Sequence, residues 1–113
     1  MTVNEKIIET LSSVGVPVTP DFNGGGKQEY ITFNFADDRA VEFGDDAPLF
    51  DVAYMQIHYF LPHEKNYRET KKRIRKLLFD AGFTFPDVTE LIEDKKRHLV
   101  FECEIENEYE MEE

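Results

Sequence analysis

A single cysteine, Cys103, means that no intrachain disulfide can staple this chain, and the count fits a reducing compartment. No apolar run approaches the ~20 residues that a membrane-crossing helix needs. The opening residues Met1-Thr2-Val3-Asn4-Glu5-Lys6 lack the basic and apolar regions of a signal peptide. A soluble protein of the cytosol, or of a particle assembled there, is expected, with no membrane partner. Positive charge is scarce: 13 basic against 24 acidic residues leave a net charge of −11. That balance disfavours wrapping a phosphate backbone, so sequence-specific nucleic-acid binding is not expected.

Recognisable chemistry is missing as well. Gly24-Gly25-Gly26 has neither the GK[ST] ending nor the strand-to-helix setting of a phosphate loop, and reads as a flexible connector. His58, His63 and His98 show no metal-ligand spacing with one another or with Cys103. Asp37-Asp38 and Asp45-Asp46 lack the spaced oxygen ligands of a calcium loop and read as solvated turns. No catalytic, cofactor or metal site is expected. Cys103 alternates with Leu99, Phe101 and Ile105, as a buried small hydrophobe would.

What is present is one domain's worth of alternating pattern. At 113 residues, folding buries roughly two-thirds of the unfolded chain's surface, enough for a core without metals or disulfides. Thr2-Val3-Asn4-Glu5 forms a capping box, and Val3, Ile7, Ile8, Leu11 and Val14 follow helical spacing up to Gly15. A connector over Pro17–Lys27 follows. Strands are predicted over 28–35, with Ile31, Phe33 and Phe35 on one face, and over 40–43, with Asp37-Asp38 between them. The strongest strand runs from Asp51 to Leu61. It carries large side chains on both faces, which predicts a central position with both sides covered. Asn66 with Glu69 repeats the capping-box spacing and opens a second helix to about Ala81, stopped by Gly82. Residues 88–92 and 98–105 read as a closing hairpin around Glu93-Asp94-Lys95-Lys96. The fold class is α+β: a mostly antiparallel sheet of four to five strands with two helices on one face, in the order α-β-β-β-α-β-β. Residues 1–106 form this domain, and 107–113 read as a disordered acidic tail.

Two surfaces stand out. Tyr54, Gln56, His58 and Phe60, with Tyr30 and Thr32, make a sheet face rich in aromatics and poor in charge. Two helices on one side cannot cover it, so it has the composition of a subunit interface unless a loop folds over it. Lys65–Lys76 holds seven basic residues and one acid, whereas the chain from Phe101 onward holds seven glutamates and no base. Arg68, Lys72, Arg75 and Lys76 lie opposite the apolar stripe of the second helix, with Phe79 among them roughly 140° from Ile74. Phe79 is either covered by the C-terminal strand or tail, or an anchor for another subunit. A basic helix on one side and acids such as Glu102 and Glu104 on the other would favour head-to-tail self-association.

The N-terminal helix, the strand Val52-Ala53-Tyr54-Met55-Gln56-Ile57-His58-Tyr59-Phe60, and the segment Tyr67–Phe83 ending in Ala81-Gly82-Phe83 carry a resemblance. With the closing strand pair, the chain up to about Asn107 resembles the tail terminator (tail-completion, minor tail) proteins of long-tailed bacteriophages and prophages. The resemblance implies a mixed α/β subunit forming a ring, commonly a hexamer. Such a ring caps the tail tube, stops its polymerisation and joins it to the head. Its partners would be further copies, the tail-tube protein and a head-completion protein, and its place the virion tail, assembled in the bacterial host cytoplasm. The long acidic C-terminus departs from the family pattern. Two other classes fit parts of the sequence: an acidic inhibitor that mimics DNA, motivated by the glutamate row, and a small-molecule-binding regulatory domain.

Overall fold

The computed structural model describes residues 2–20, 28–44 and 47–106, and for 37–44 and 47–51 the course of the backbone alone. The expected glycine connector at 24–26, the turn at Asp45-Asp46 and the tail 107–113 lie outside the described residues. The fold is α+β, a mixed five-stranded sheet with two helices.

Helix α1 (Val3–Leu11) starts where the sequence indicates. Thr2 N donates to Glu5 Oε1 at 2.9 Å and Glu5 N donates to Thr2 Oγ1 at 3.1 Å, and the Thr2 amide, with the Thr2 hydroxyl beside it, holds the Glu5 carboxyl below the usual range. A 3₁₀ turn over Ser12–Val14 finishes it, and Gly15 at φ 88° ends it. Helix α2 (Arg68–Asp80) begins differently from expectation. Its N-cap is Tyr67, without a side-chain cap bond, and Asn66 Oδ1 accepts instead from Arg68 N at 3.1 Å. The Asn66/Glu69 box therefore does not form, because Asn66 sits one residue too early to reach the third turn amide. The other end closes in a Schellman motif: Phe83 N donates to Leu78 O and Gly82 N to Phe79 O, both at 3.1 Å. Gly82 takes φ 105°, a conformation that only glycine adopts without strain.

The sheet runs β1-β2-β3-β5-β4, from β1 (Val18–Pro20), β2 (Tyr30–Gly44), β3 (Ala47–Pro62), β4 (Asp87–Glu93) and β5 (Lys96–Glu106). The succession of helices and strands is similar to the expected one but built from different segments. The connector contains β1, which lies parallel to β2 and makes the sheet mixed. Three residues are too short for an alternating pattern to show, and Pro20 is tolerated because β1 is an edge. The two strands expected over 28–35 and 40–43 are one, interrupted by a register shift between Phe35 and Asp37. A bulge breaks the period of two, so the sequence looks as though the strand stops there. The central strand likewise begins earlier than the expected Asp51, at Ala47, which pairs with Gly44.

One face of the sheet and both helices share a single core. Val3, Ile7 and Leu11 of α1 and Ile74 and Leu78 of α2 are buried against Ile31 and Phe33 of β2, the alternate residues Ala53, Met55, Ile57, Tyr59 and Leu61 of β3 and Leu99, Phe101 and Cys103 of β5. Burial pushes the Cys103 thiol up to about 12, with Glu104 adding to the effect, so it is not a thiolate near neutral pH. On the N-terminal side of Val52, which pairs with Glu106, β2 is the one neighbour of β3 among the described residues. That two-stranded ribbon gives the molecule its long axis, with extents of 54 × 25 × 24 Å. Among the described residues no helix is long and apolar enough to cross a membrane.

Candidate interaction surfaces

Among the described residues the other face of the sheet carries no helix. Strand register sorts its side chains into rows. Tyr30, Phe60, His98 and Leu91 lie across β2, β3, β5 and β4; Thr32, His58, Val100 and Thr89 form the next row; Asn34, Gln56, Glu102 and Asp87 the third; Tyr54 and Glu104 follow. The face thus grades from aromatic at one end to acidic at the other.

At the aromatic end the chain covers itself in part. Tyr30 stacks on Phe60 with ring centroids 4.8 Å apart, and Phe60 on His98 at 4.1 Å. Lys96 Nζ lies 5.3 Å from the centre of the Tyr30 ring. Tyr30 and Thr32 are consequently buried, while Phe60, His58, Gln56 and Tyr54 are half-buried. Two expectations need correction here. Among the described residues no layer of structure covers the second face of β3, and the face is not poor in charge, because Glu102 and Glu104 share it with Gln56 and Tyr54.

The middle of the face is a hydrogen-bonded chain across three strands. Gln56 Nε2 donates to Glu102 Oε2 at 3.3 Å, and Asn34 Nδ2 to Gln56 Oε1 at 3.4 Å. His58 Nε2 lies 2.9 Å from Asn34 Oδ1, and His58 Nδ1 lies 2.8 Å from His98 Nε2. A carboxylate only accepts, so Glu102 sets the direction of every bond. Gln56 must offer its amide NH₂ to Glu102 and its oxygen to Asn34. Asn34 then turns its oxygen to His58, whose proton sits on Nε2, and His58 Nδ1 accepts from His98. A proton added to His58 Nδ1 is tolerated only if His98 Nε2 gives up its own, and a second proton leaves no acceptor.

Both imidazoles are held below the ordinary histidine value of 6.5. Burial is the main cause for each; Glu102 opposes it at His58, whereas His58 adds to it at His98 and Glu93 opposes. With native values depressed, the unfolded chain binds these protons first as the pH falls. The stability they represent is complete above the unfolded value of 6.5 and is lost as the pH drops below it toward the native values. Urea midpoints should therefore hold steady above about pH 7 and decline below about pH 6.5, and His58→Gln with His98→Gln should flatten that decline. An unchanged slope in the double variant would remove the pair from the account.

The second surface is the outer side of α2, on the opposite face of the sheet. Arg68 and Lys72 are exposed, Lys76 pairs with Asp80 at 2.9 Å, and Phe79 is 56% exposed. Arg75 is drawn away from this stripe. Its Nε and Nη2 donate to Pro86 O at 3.1 and 2.9 Å, and its guanidinium lies 4.3 Å from the centre of the Phe85 ring. Lys71 is also engaged: with Tyr67 it binds Glu90, at 2.6 and 2.8 Å, and these bonds hold the Glu90 carboxyl below the usual range. Phe79 meets Phe85 edge to face at 5.8 Å. It is covered by neither β5 nor any other described segment.

Between the two surfaces lies an open depression of about 620 Å³, bordered by Tyr54, Thr84, Phe85, Asp87, Glu102 and Glu104. Among the described residues its lining has three carboxylates and no lysine, arginine or histidine. Among the described residues no three His, Cys, Asp or Glu side chains are grouped to hold a metal ion. The structure thus gathers Tyr30, Thr32, Tyr54, Gln56, His58, Phe60, Glu102 and Glu104 on one side, and Arg68, Lys72, Arg75 and Phe79 on the other. Sequence reasoning missed His98, Leu91 and Phe85. The alternation of Phe83 inward with Phe85 outward was legible; the meeting of His98 with His58 needed the register. No family model matches the chain, and no curated protein matches it in sequence.

Proposed function

We propose that the protein is a structural assembly subunit whose copies join head to tail into a ring, capping a phage or prophage tail tube and joining it to the head. The observation that carries this reading is the pair of unlike surfaces on opposite sides of one small domain. One is an aromatic-to-acidic sheet face that the two helices leave open. The other is a basic helix stripe ending in an exposed phenylalanine. A heterologous contact needs two different patches that complement each other, and rotation between copies closes it into a ring. The carboxylate-lined depression beside Tyr54 and Phe85 suits a cationic side chain such as Arg68 or Lys72 of a neighbour. The phage setting draws its support from the α2 segment ending in Ala81-Gly82-Phe83 and the hairpin after it.

The test is the mass of the purified chain in solution across concentrations, alone and with tail tubes, with negative-stain imaging. Concentration-dependent association into closed rings, or rings seated on tube ends, is the expected result. A monomer throughout, with no binding to tube ends, would overturn the reading. A second reading rests on the same three carboxylates, an inhibitor that mimics nucleic acid. It predicts a complex with a DNA-processing enzyme that duplex DNA displaces.

A further inference from the structure

His58 on β3 and His98 on β5 are not opposite one another: His58 pairs with Val100, and His98 with Phe60. They sit on a diagonal of the open face, and their side chains converge until His58 Nδ1 lies 2.8 Å from His98 Nε2, with ring centres 5.0 Å apart. In an ordinary pair of neutral imidazoles either ring can donate to the other. Here one ring has no choice. Glu102 only accepts, and Gln56 and Asn34 carry that constraint across three strands, so the His58 proton is held on Nε2, 2.9 Å from Asn34 Oδ1. The Nδ1 lone pair of His58 is thereby kept open and aimed at His98. Metal-ligating histidines are supported in the same way: the second ring nitrogen donates to a fixed oxygen, which sets the tautomer and orients the ring.

We propose that His58 Nδ1 and His98 Nε2 form a two-nitrogen site for a late first-row divalent metal ion, zinc, nickel or copper(II), with Asn34 as the residue that positions His58. Imidazole nitrogens lie about 2.0–2.1 Å from such an ion, so two of them at about 90–109° stand about 2.9–3.4 Å apart, with ring centres about 4.5–5.2 Å apart. The nitrogens here are slightly closer than that range and the ring centres fall within it. Binding therefore requires the two rings to turn toward a common point while β3 and β5 stay in place. The proton on His98 Nε2 passes to Nδ1 of the same half-buried ring, so the ion replaces a hydrogen and the ring stays neutral.

The surroundings suit a cation. Glu102 acts on His58 and Glu93 on His98, each favouring positive charge there. Lys96 Nζ is turned to the Tyr30 and Phe60 rings, 5.3 and 5.9 Å from their centres. Burial nevertheless keeps both imidazoles neutral near neutral pH, the form that ligates. Two protein nitrogens leave further coordination positions for water, which reaches them from the open face. A bound ion ties β3 to β5 and stabilises the fold by mass action. The site lies within one chain and does not depend on how copies assemble.

The experiment titrates zinc chloride, and separately copper(II) chloride, into the untagged full chain by calorimetry, with NMR of the imidazole nitrogens in the ion-free and zinc-bound forms. One ion per chain, bound below millimolar concentration through His58 Nδ1 and His98 Nε2, is the expected result. His58→Gln and His98→Gln should each weaken binding at least about a hundredfold. Asn34→Leu keeps both ligands; it should weaken binding about tenfold and let the His58 proton spread over both ring nitrogens in the ion-free form. His63→Gln, away from the site, should change nothing, and urea unfolding checks that each variant is folded. No binding at millimolar ion, full binding by either His58→Gln or His98→Gln, or loss of binding in His63→Gln would overturn the site. Wild-type affinity and a wild-type His58 tautomer in Asn34→Leu would overturn the positioning role of Asn34.

Discussion

Reversing Arg68 and Lys72 to glutamate should weaken association between copies by about a hundredfold, because several like charges would then face one another across a partly dry contact. The carboxylates they would meet are those of Asp87, Glu102 and Glu104, beside the rings of Tyr54 and Phe85. Isolated surface pairs contribute little, about 1 kcal/mol or less, so one substitution is a poor probe and the double change is the informative one. Restoring opposite sign within the same chain, by Asp87→Lys with Glu104→Lys, should recover most of the affinity. A head-to-tail contact presents the altered helix of each copy to the altered sheet of the next. Glu102 is left alone in this design because it directs the bonds of Gln56, Asn34 and His58. Sedimentation velocity at low and moderate salt reads the result. Wild-type association by the reversed variant would mean that α2 is not part of the contact.

Replacing Phe101 with alanine should destabilise the fold by about 3–5 kcal/mol, the cost of a large cavity in a core that relaxes only in part. Phe101 is fully buried on the middle of β5, paired with Ile57 on one side and Val88 on the other, beneath both helices. Domains of this size have about 5–15 kcal/mol in total, so the variant should unfold in far less urea, with an unchanged dependence on denaturant. A loss below about 1 kcal/mol would contradict the single shared core. Phe60 offers the contrast. It is half-buried and stacked between Tyr30 and His98 on the open face, so its removal should cost stability much less while exposing the same surface to test.

Several parts of this architecture were legible from local pattern. The capping box at Thr2 and Glu5, the stops at Gly15 and Gly82, the inward row Leu99, Phe101 and Cys103, and the hairpin around Asp94-Lys95 depend on neighbours within a few residues. Their physics is short-ranged, so spacing reveals it. The Asn66 box failed for the same local reason. A tyrosine took the N-cap, and one residue of slip removes the geometry.

Pairing between distant strands was beyond such patterns. Nothing near Asn34, His58 or His98 announces that a register of β2, β3 and β5 will align them, or that Glu102 will impose one direction on their bonds. The bulge after Phe35 hid the continuity of β2, and three residues of β1 were too few to carry a period. The charge balance, the lone thiol and the presence of helices and strands were written in composition and periodicity. Which side chains share a face, and that the basic and acidic patches stand back to back, came from long-range hydrogen bonding and core packing. Those couple residues far apart in the chain, where sequence spacing carries no information.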